Sequence, residues 1–210
     1  MYRRQIEVIG KKNQEILSQK SVLIVGAGGL GNIIATTISC IGLKKIYIID
    51  FDEIEIHNIH RQFQFCEDDC GKSKSVMLSK KLGQRCKDTE IIGINKKFDS
   101  SLKLNVDLVF DASDNFEVRK EIDKFAKIHS IPWIYASVEE FRGQVGVFKK
   151  TSFEIFATKE HNIKGQIPQM VNLIGSISSM LGLKTLINRQ EEVFYYVDFQ
   201  DDLEIKKFGF

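Results

Sequence analysis

Residues 21–52 read SVLIVGAGGLGNIIATTISCIGLKKIYIIDFD. The stretch opens on Val22-Leu23-Ile24-Val25, a short β-branched apolar run bounded by glycine, which reads as a buried parallel strand. Gly26, Gly28 and Gly31 follow at G-x-G-x-x-G spacing, and Gly29 adds another residue without a Cβ. Residues 32–41 carry apolar side chains at helical spacing and run to Gly42, a C-cap signal. A second strand, 46–49, ends in Asp50. Strand, glycine turn, helix, strand, acid is the order of a nucleotide-binding unit. Glycines let the backbone approach a phosphate, the helix N-terminus offers unpaired N–H groups, and the acid accepts from ribose hydroxyls. A turn needed only for close helix–sheet packing has the same glycines, and the pattern serves NAD and ATP alike.

Working outward, the 210 residues suit one unit, with a lead-in over 1–20, a nucleotide-binding α/β core over 21–138, and antiparallel strands with a late helix over 139–210. Thirty Lys+Arg against 28 Asp+Glu leave a net charge of +2, so no basic balance argues for a nucleic-acid partner. No apolar run is long enough to span a bilayer, and the first ten residues, MYRRQIEVIG, lack the apolar region of a secretory signal. Cys40, Cys66, Cys70 and Cys86 form no C-x-x-C pair, which gives no zinc site and no disulfide scaffold. A cytoplasmic protein with reduced thiols is the expectation. Cys66 and Cys70 stand four apart, a spacing a helix would bring together.

Beyond Asp50, the segment FDEIEIHNIHRQFQF puts Asp52, Asn58 and Arg61 where the connections of a parallel sheet line a ligand site. His57 and His60 lie there too and take no assigned role. Gly71-Lys72-Ser73-Lys74 leads into a helix reaching about Cys86. Lysines at a helix start oppose its dipole, and a phosphate beside them would remove that penalty; a solvated helix end is the plainer alternative. A short strand over 90–95 follows, then a buried one over 106–110 ending in Asp111-Ala112-Ser113-Asp114-Asn115. Two aspartates and an asparagine at a strand's C-terminal end form a hard-oxygen cluster suited to Mg²⁺. Asp114 or Asn115 alternatively caps the next helix, 116–129. Further strands are expected over 132–138, 141–148 (antiparallel) and 153–157. A polar loop over 159–169, a small-residue helix over 170–188 and a terminal hairpin of 193–199 with 203–208 complete the chain. The fold class is therefore α/β: a Rossmann-like mixed sheet, parallel at the start and antiparallel at the end, with helices on both faces.

The chain resembles the ThiF/MoeB/HesA group, bacterial relatives of the ubiquitin-activating enzymes. Five motifs stand in that family's order: Y-x-R-Q at 2–5, GAGGLG at 26–31, DFD at 50–52, N-x-x-R-Q at 58–62 and D-x-x-D-N at 111–115. Lys74 falls where the family's ATP-binding lysine stands, and GQVGVF at 143–148 is similar to its late strand. The resemblance implies ATP-dependent adenylation of the C-terminal glycine of a small ubiquitin-like sulfur carrier ending in Gly-Gly, with release of pyrophosphate. The setting it implies is thiamine thiazole or molybdopterin synthesis. In those terms Gly26, Gly28, Gly29 and Gly31 back the nucleotide, Asp50 holds the ribose, and Asp52, Asn58 and Asn115 complete the ATP site. Arg61 and Lys74 neutralise the triphosphate, Asp114 holds Mg²⁺, and Arg4 reaches the second subunit's site in a homodimer. No cysteine follows Cys86, so the zinc cysteines and the late-loop cysteine of the family's relatives are missing. Adenylation needs neither. Three alternatives stay open: an NAD-dependent oxidoreductase, a non-catalytic activating-enzyme-like scaffold, and adenylation of a peptide.

Overall fold

The computed structural model describes residues 1–156 and 165–209. Helices α1 (Arg3–Ile9) and α2 (Lys11–Leu17) precede β1 (Ser21–Val25), α3 (Gly29–Ser39), β2 (Lys45–Ile49), α4 (Lys74–Arg85) and β3 (Glu90–Ile94). Then follow β4 (Leu108–Asp111), α5 (Phe116–His129), β5 (Trp133–Glu139), β6 (Arg142–Phe148), α6 (Pro168–Leu186), β7 (Val193–Asp198) and β8 (Glu204–Phe208). The strands make one sheet in the order β3-β2-β1-β4-β5-β6-β7-β8. Pairing is parallel from β3 to β5 and antiparallel from β5 to β8, as the residue pattern predicts.

The chain leaves β1 toward β2 and β3 on one side, then returns to place β4 on the other side of β1. The chain connections therefore run to opposite sides of β1, which opens a crevice at the C-terminal edge of the sheet. Alternation along the strands sends Val22, Ile24, Ile46, Ile48 and Phe110 to one core, where Ile33, Leu78 and Leu181 of α3, α4 and α6 meet them. Leu23, Val25 and Val109 face the other way, onto Ile122 and Phe125 of α5. Each such fully buried side chain contributes roughly 1.5–3 kcal/mol relative to exposure.

The helix rich in small residues lies against α3 and the sheet. A Cβ on Gly175 would come 2.7 Å from Ile33, and Thr37 and Ser179 share a hydroxyl–hydroxyl hydrogen bond of 2.6 Å. Several boundaries differ from the expected ones. Helix α3 starts at Gly29 rather than at 32, so the last residues of the glycine turn form its first helical turn. It ends at Ser39 with Cys40 as cap, and Gly42 takes a positive φ of 81° one turn later. The lead-in is two helices, broken at Gly10, whose φ of 83° and ψ of 156° no helix continues. Residues 153–156, expected as the start of a strand, are a 3-10 turn. Phe153 instead packs its ring on Phe116, Trp133 and Tyr135, and that aromatic contact outweighs strand propensity. Ala157 and most of the expected polar loop lie outside the described residues. Among the described residues, no helix is long and apolar enough to cross a membrane.

Candidate active site

At the C-terminal edge, between the loops that follow β1, β2, β4 and β5, lies a cavity of about 470 Å³. Its floor is the turn after β1. Gly26 has φ +100°, and a Cβ there would stand 2.5 Å from the carbonyl oxygen of Ala112 in the loop after β4. Only glycine lets these two loops lie so close. Gly28 and Gly29 border the cavity, with Gly28 the N-cap of α3, so the first amides of that helix point toward it. Gly31, expected in the nucleotide site, does not line the cavity. Its absent Cβ makes room for the Gly26 carbonyl beneath the turn, which is a packing role.

Asp50, at the end of β2, is tied to that floor. Its carboxylate accepts from the Ala27 N–H at 2.6 Å and the Asp52 N–H at 2.8 Å. Burial pushes the Asp50 carboxyl up, against the pull of those two N–H groups and Lys74. Lys74, first residue of α4, has its side chain only 9% exposed, and its ammonium donates to Asp52 at 2.9 Å. The unfavourable helix start is thus relieved inside the chain, Lys74 by Asp52 and Lys72 by Asp69, rather than requiring a phosphate. Asn58 is buried, and its side-chain carbonyl accepts from the Glu55 N–H at 3.2 Å, which fixes the turn before Arg61.

Arg61 lies over the glycine turn, its Cγ 3.5 Å from where a Gly29 Cβ would stand. Its Nε donates to Gln166 at 3.1 Å and its Nη1 to the His57 carbonyl at 3.2 Å. Partial burial lowers its guanidinium from the ordinary value, and the charge of Asp114 pulls it back. The hard-oxygen cluster divides. Asp111 is fully buried and accepts from Arg119 at 3.1 Å and from the Ser113 hydroxyl at 2.6 Å, so it is not presented to a ligand. Burial pushes its carboxyl up, with Arg119 and Ser113 opposing. Asn115 is the cap of α5, accepting from the N–H groups of Glu117 and Val118 at 2.9 and 3.2 Å. Of the three, only Asp114 presents an exposed carboxylate to the cavity, with no hydrogen bond or ion pair among the described residues. A single carboxylate that leaves the remaining positions to phosphate and water fits Mg²⁺ carried on a nucleotide. Among the described residues, no group of three or more His, Cys, Asp or Glu side chains is placed to hold a metal on its own.

Arg4 stands elsewhere. It lies 96% exposed on α1, beside Glu7 at 4.0 Å. Gln5 of the same helix donates to the Ile41 carbonyl, beyond the C-terminal end of α3 and so away from the cavity. Cys66 and Cys70 flank a one-turn 3-10 helix, Glu67–Asp69, and Cys66 donates to Asp69 at 3.2 Å instead of meeting Cys70. Arg119, Gln62 and Gln166 also line the cavity and are among the residues to which the sequence assigned no role there. Arg119 is legible afterwards as the cation eight residues after Asp111, a distance that spans the loop and one helical turn. Gln62 is only 2% exposed, and its Oε1 has no hydrogen-bond partner among the described residues. Gln166 arrives from a distant part of the chain, bridged to Glu140, with no local signal to mark it.

The family model described as "ThiF family" matches residues 2–200. The sulfur carrier protein adenylyltransferase of Thermus thermophilus is 31% identical over 70% of this chain and 56% of its own length. The adenylyltransferase and sulfurtransferase MOCS3 of Caenorhabditis briggsae is 35% identical over 70% of this chain and 38% of its own. The chain thus spans about half the length, or less, of the curated relatives it matches. Among solved structures, E. coli MccB with AMPCPP and MccA superposes with a TM-score of 0.83 at 21% identity, over 93% of this chain and 65% of that one. PaaA gives 0.82 at 20% identity, over 98% and 71%. These two likenesses show the fold.

Proposed function

The chain belongs to the ThiF family, and on that premise we propose that it uses ATP to adenylate a C-terminal carboxylate, that of a small ubiquitin-like sulfur carrier ending in Gly-Gly. The observation that carries this reading is the convergence of Arg61, Lys74 and Asp114 on one glycine-floored cavity. A carboxylate oxygen attacks the α-phosphorus, the bond from that phosphorus to the bridging oxygen breaks, and pyrophosphate leaves. Two anions must meet, so fixed positive charge that grows in value as the transition state forms is what the site has to supply. Arg61 is preorganised for this by Gln166 and the His57 carbonyl. Lys74 is held at the rim by Asp52 and exchanges that partner for phosphate oxygens when the nucleotide enters. The amides at the start of α3 receive the phosphates, and Asp50 accepts from the ribose hydroxyls. Mg²⁺ held by Asp114 would screen the repulsion between the triphosphate and the incoming carboxylate.

A hydride-transfer enzyme would use the same glycine turn and acid, but it has no use for Arg61, Lys74 and Asp114 around the phosphate end. Relatives named as sulfur-carrier and molybdopterin-synthase adenylyltransferases support the carrier reading, while the fold it shares with MccB, solved with MccA, keeps a peptide as the second substrate to try. Thiamine or molybdopterin synthesis is the setting we assign to the carrier. The test is ATP–pyrophosphate exchange with Mg²⁺ and candidate carriers from the same organism. Exchange that depends on a carrier with an intact Gly-Gly end supports the assignment. Exchange only with short peptides would move the substrate, and turnover of NAD without exchange would overturn the reading.

A further inference from the structure

Two of the four cysteines meet at the end of the molecule away from the cavity. Cys40 is the C-cap of α3 and Cys86 the C-cap of α4. Their sulfurs stand 3.2 Å apart, with the Ser39 hydroxyl 3.8 Å from one and 3.6 Å from the other. Both are free thiols here. The two caps are brought together by the fold and not by local sequence, since 46 positions separate them. The N-terminal ends of the same two helices carry Gly29 and Lys74, which border the cavity. We propose that Cys40 and Cys86 are a reversible thiol–disulfide site that staples α3 to α4 when the protein meets a disulfide oxidant.

The step balances with a small disulfide as co-reactant. Cys40, the half-buried member, attacks one sulfur of oxidised glutathione as its thiolate and releases one glutathione thiolate. Cys86 then attacks the Cys40 sulfur of the mixed disulfide, and the second glutathione leaves. The protein gives up two protons and two electrons, and these convert one glutathione disulfide to two thiols. Burial pushes the Cys86 thiol up, which assigns entry to Cys40 and resolution to Cys86. From 3.2 Å, a bond of about 2.05 Å asks the two sulfurs to approach by about 1 Å.

The experiment starts from the Cys66→Ser/Cys70→Ser protein, which keeps only this pair, reduced, freed of reductant and incubated with oxidised glutathione. Loss of both free thiols, a mass lower by two hydrogens, and a midpoint of thermal unfolding raised by on the order of 5–10 °C are expected. Reductant should reverse all three. Adding Cys40→Ser or Cys86→Ser should leave neither the mass change nor the shift. Because Cys86 is buried and its serine variant could fold poorly, peptide mapping of the oxidised wild-type protein gives an independent reading: a Cys40–Cys86 link is expected. Two thiols that persist, a glutathione adduct that stays on Cys40, or a cross-linked protein that melts no higher than the reduced one would each overturn the proposal.

Discussion

Asp111 and Asp114 stand three residues apart and do opposite work. The first is buried against Arg119 and shapes the loop; the second is exposed to the cavity and carries the proposed magnesium contact. Asp114→Ala should therefore lower ATP–pyrophosphate exchange by about 10²–10³-fold with no change in unfolding temperature. Asp111→Ala should cost about 3–5 kcal/mol in a urea melt, because it strands the Arg119 guanidinium in the core. A melt that moved for Asp114 and not for Asp111 would reverse these roles. Asp69 makes a pH prediction. Its carboxylate accepts from Lys81 and from Cys66, and these bonds, outweighing burial, hold it well below the ordinary carboxylate range. A carboxyl depressed on folding contributes stability that is full above its unfolded value and fades as pH falls toward the folded one. Asp69→Asn should thus cost about 1–3 kcal/mol at pH 7 and progressively less below about pH 4.

At the scale of elements, the parallel strands and the turn between β1 and α3 were legible because their sequence answers a strong physical demand. A strand covered on both faces must be apolar throughout, and a turn pressed on a neighbouring loop must lack Cβ atoms. Gly26→Ala should therefore lose more than about 1 kcal/mol, from both its positive φ and the Ala112 carbonyl. Gly83, in the body of α4 with nothing near its missing Cβ, is the contrasting case. Its alanine variant should gain about 0.5–1 kcal/mol by denaturant titration. What stayed hidden was set by partners remote in sequence. The turn at 153–156 follows from aromatic neighbours on α5 and β5, and the Gln166 contact to Arg61 from a chain segment more than a hundred residues away. Ten of the twelve site residues named from motifs border the cavity, and the two that do not, Gly31 and Arg4, lie beneath the turn and on the exposed face of α1.

For the whole molecule, Arg4 decides how many chains complete a site. Within one chain it is solvated and remote, so a role in catalysis requires a second copy. We assign it to the partner's cavity in a homodimer. Sedimentation should then give a dimer, and Arg4→Ala should lower exchange without lowering the unfolding temperature; a fully active monomer would remove Arg4 from the site. The central claim concerns the cavity itself, where the glycine floor and three charged side chains act on a triphosphate. It is tested most directly by a crystal structure of the protein with Mg²⁺ and a non-hydrolysable ATP analogue. The phosphates should lie at the start of α3 above Gly28 and Gly29, with Arg61 and Lys74 donating to them and Asp114 on the metal. A nucleotide bound away from this turn, or phosphates untouched by Arg61 and Lys74, would contradict it.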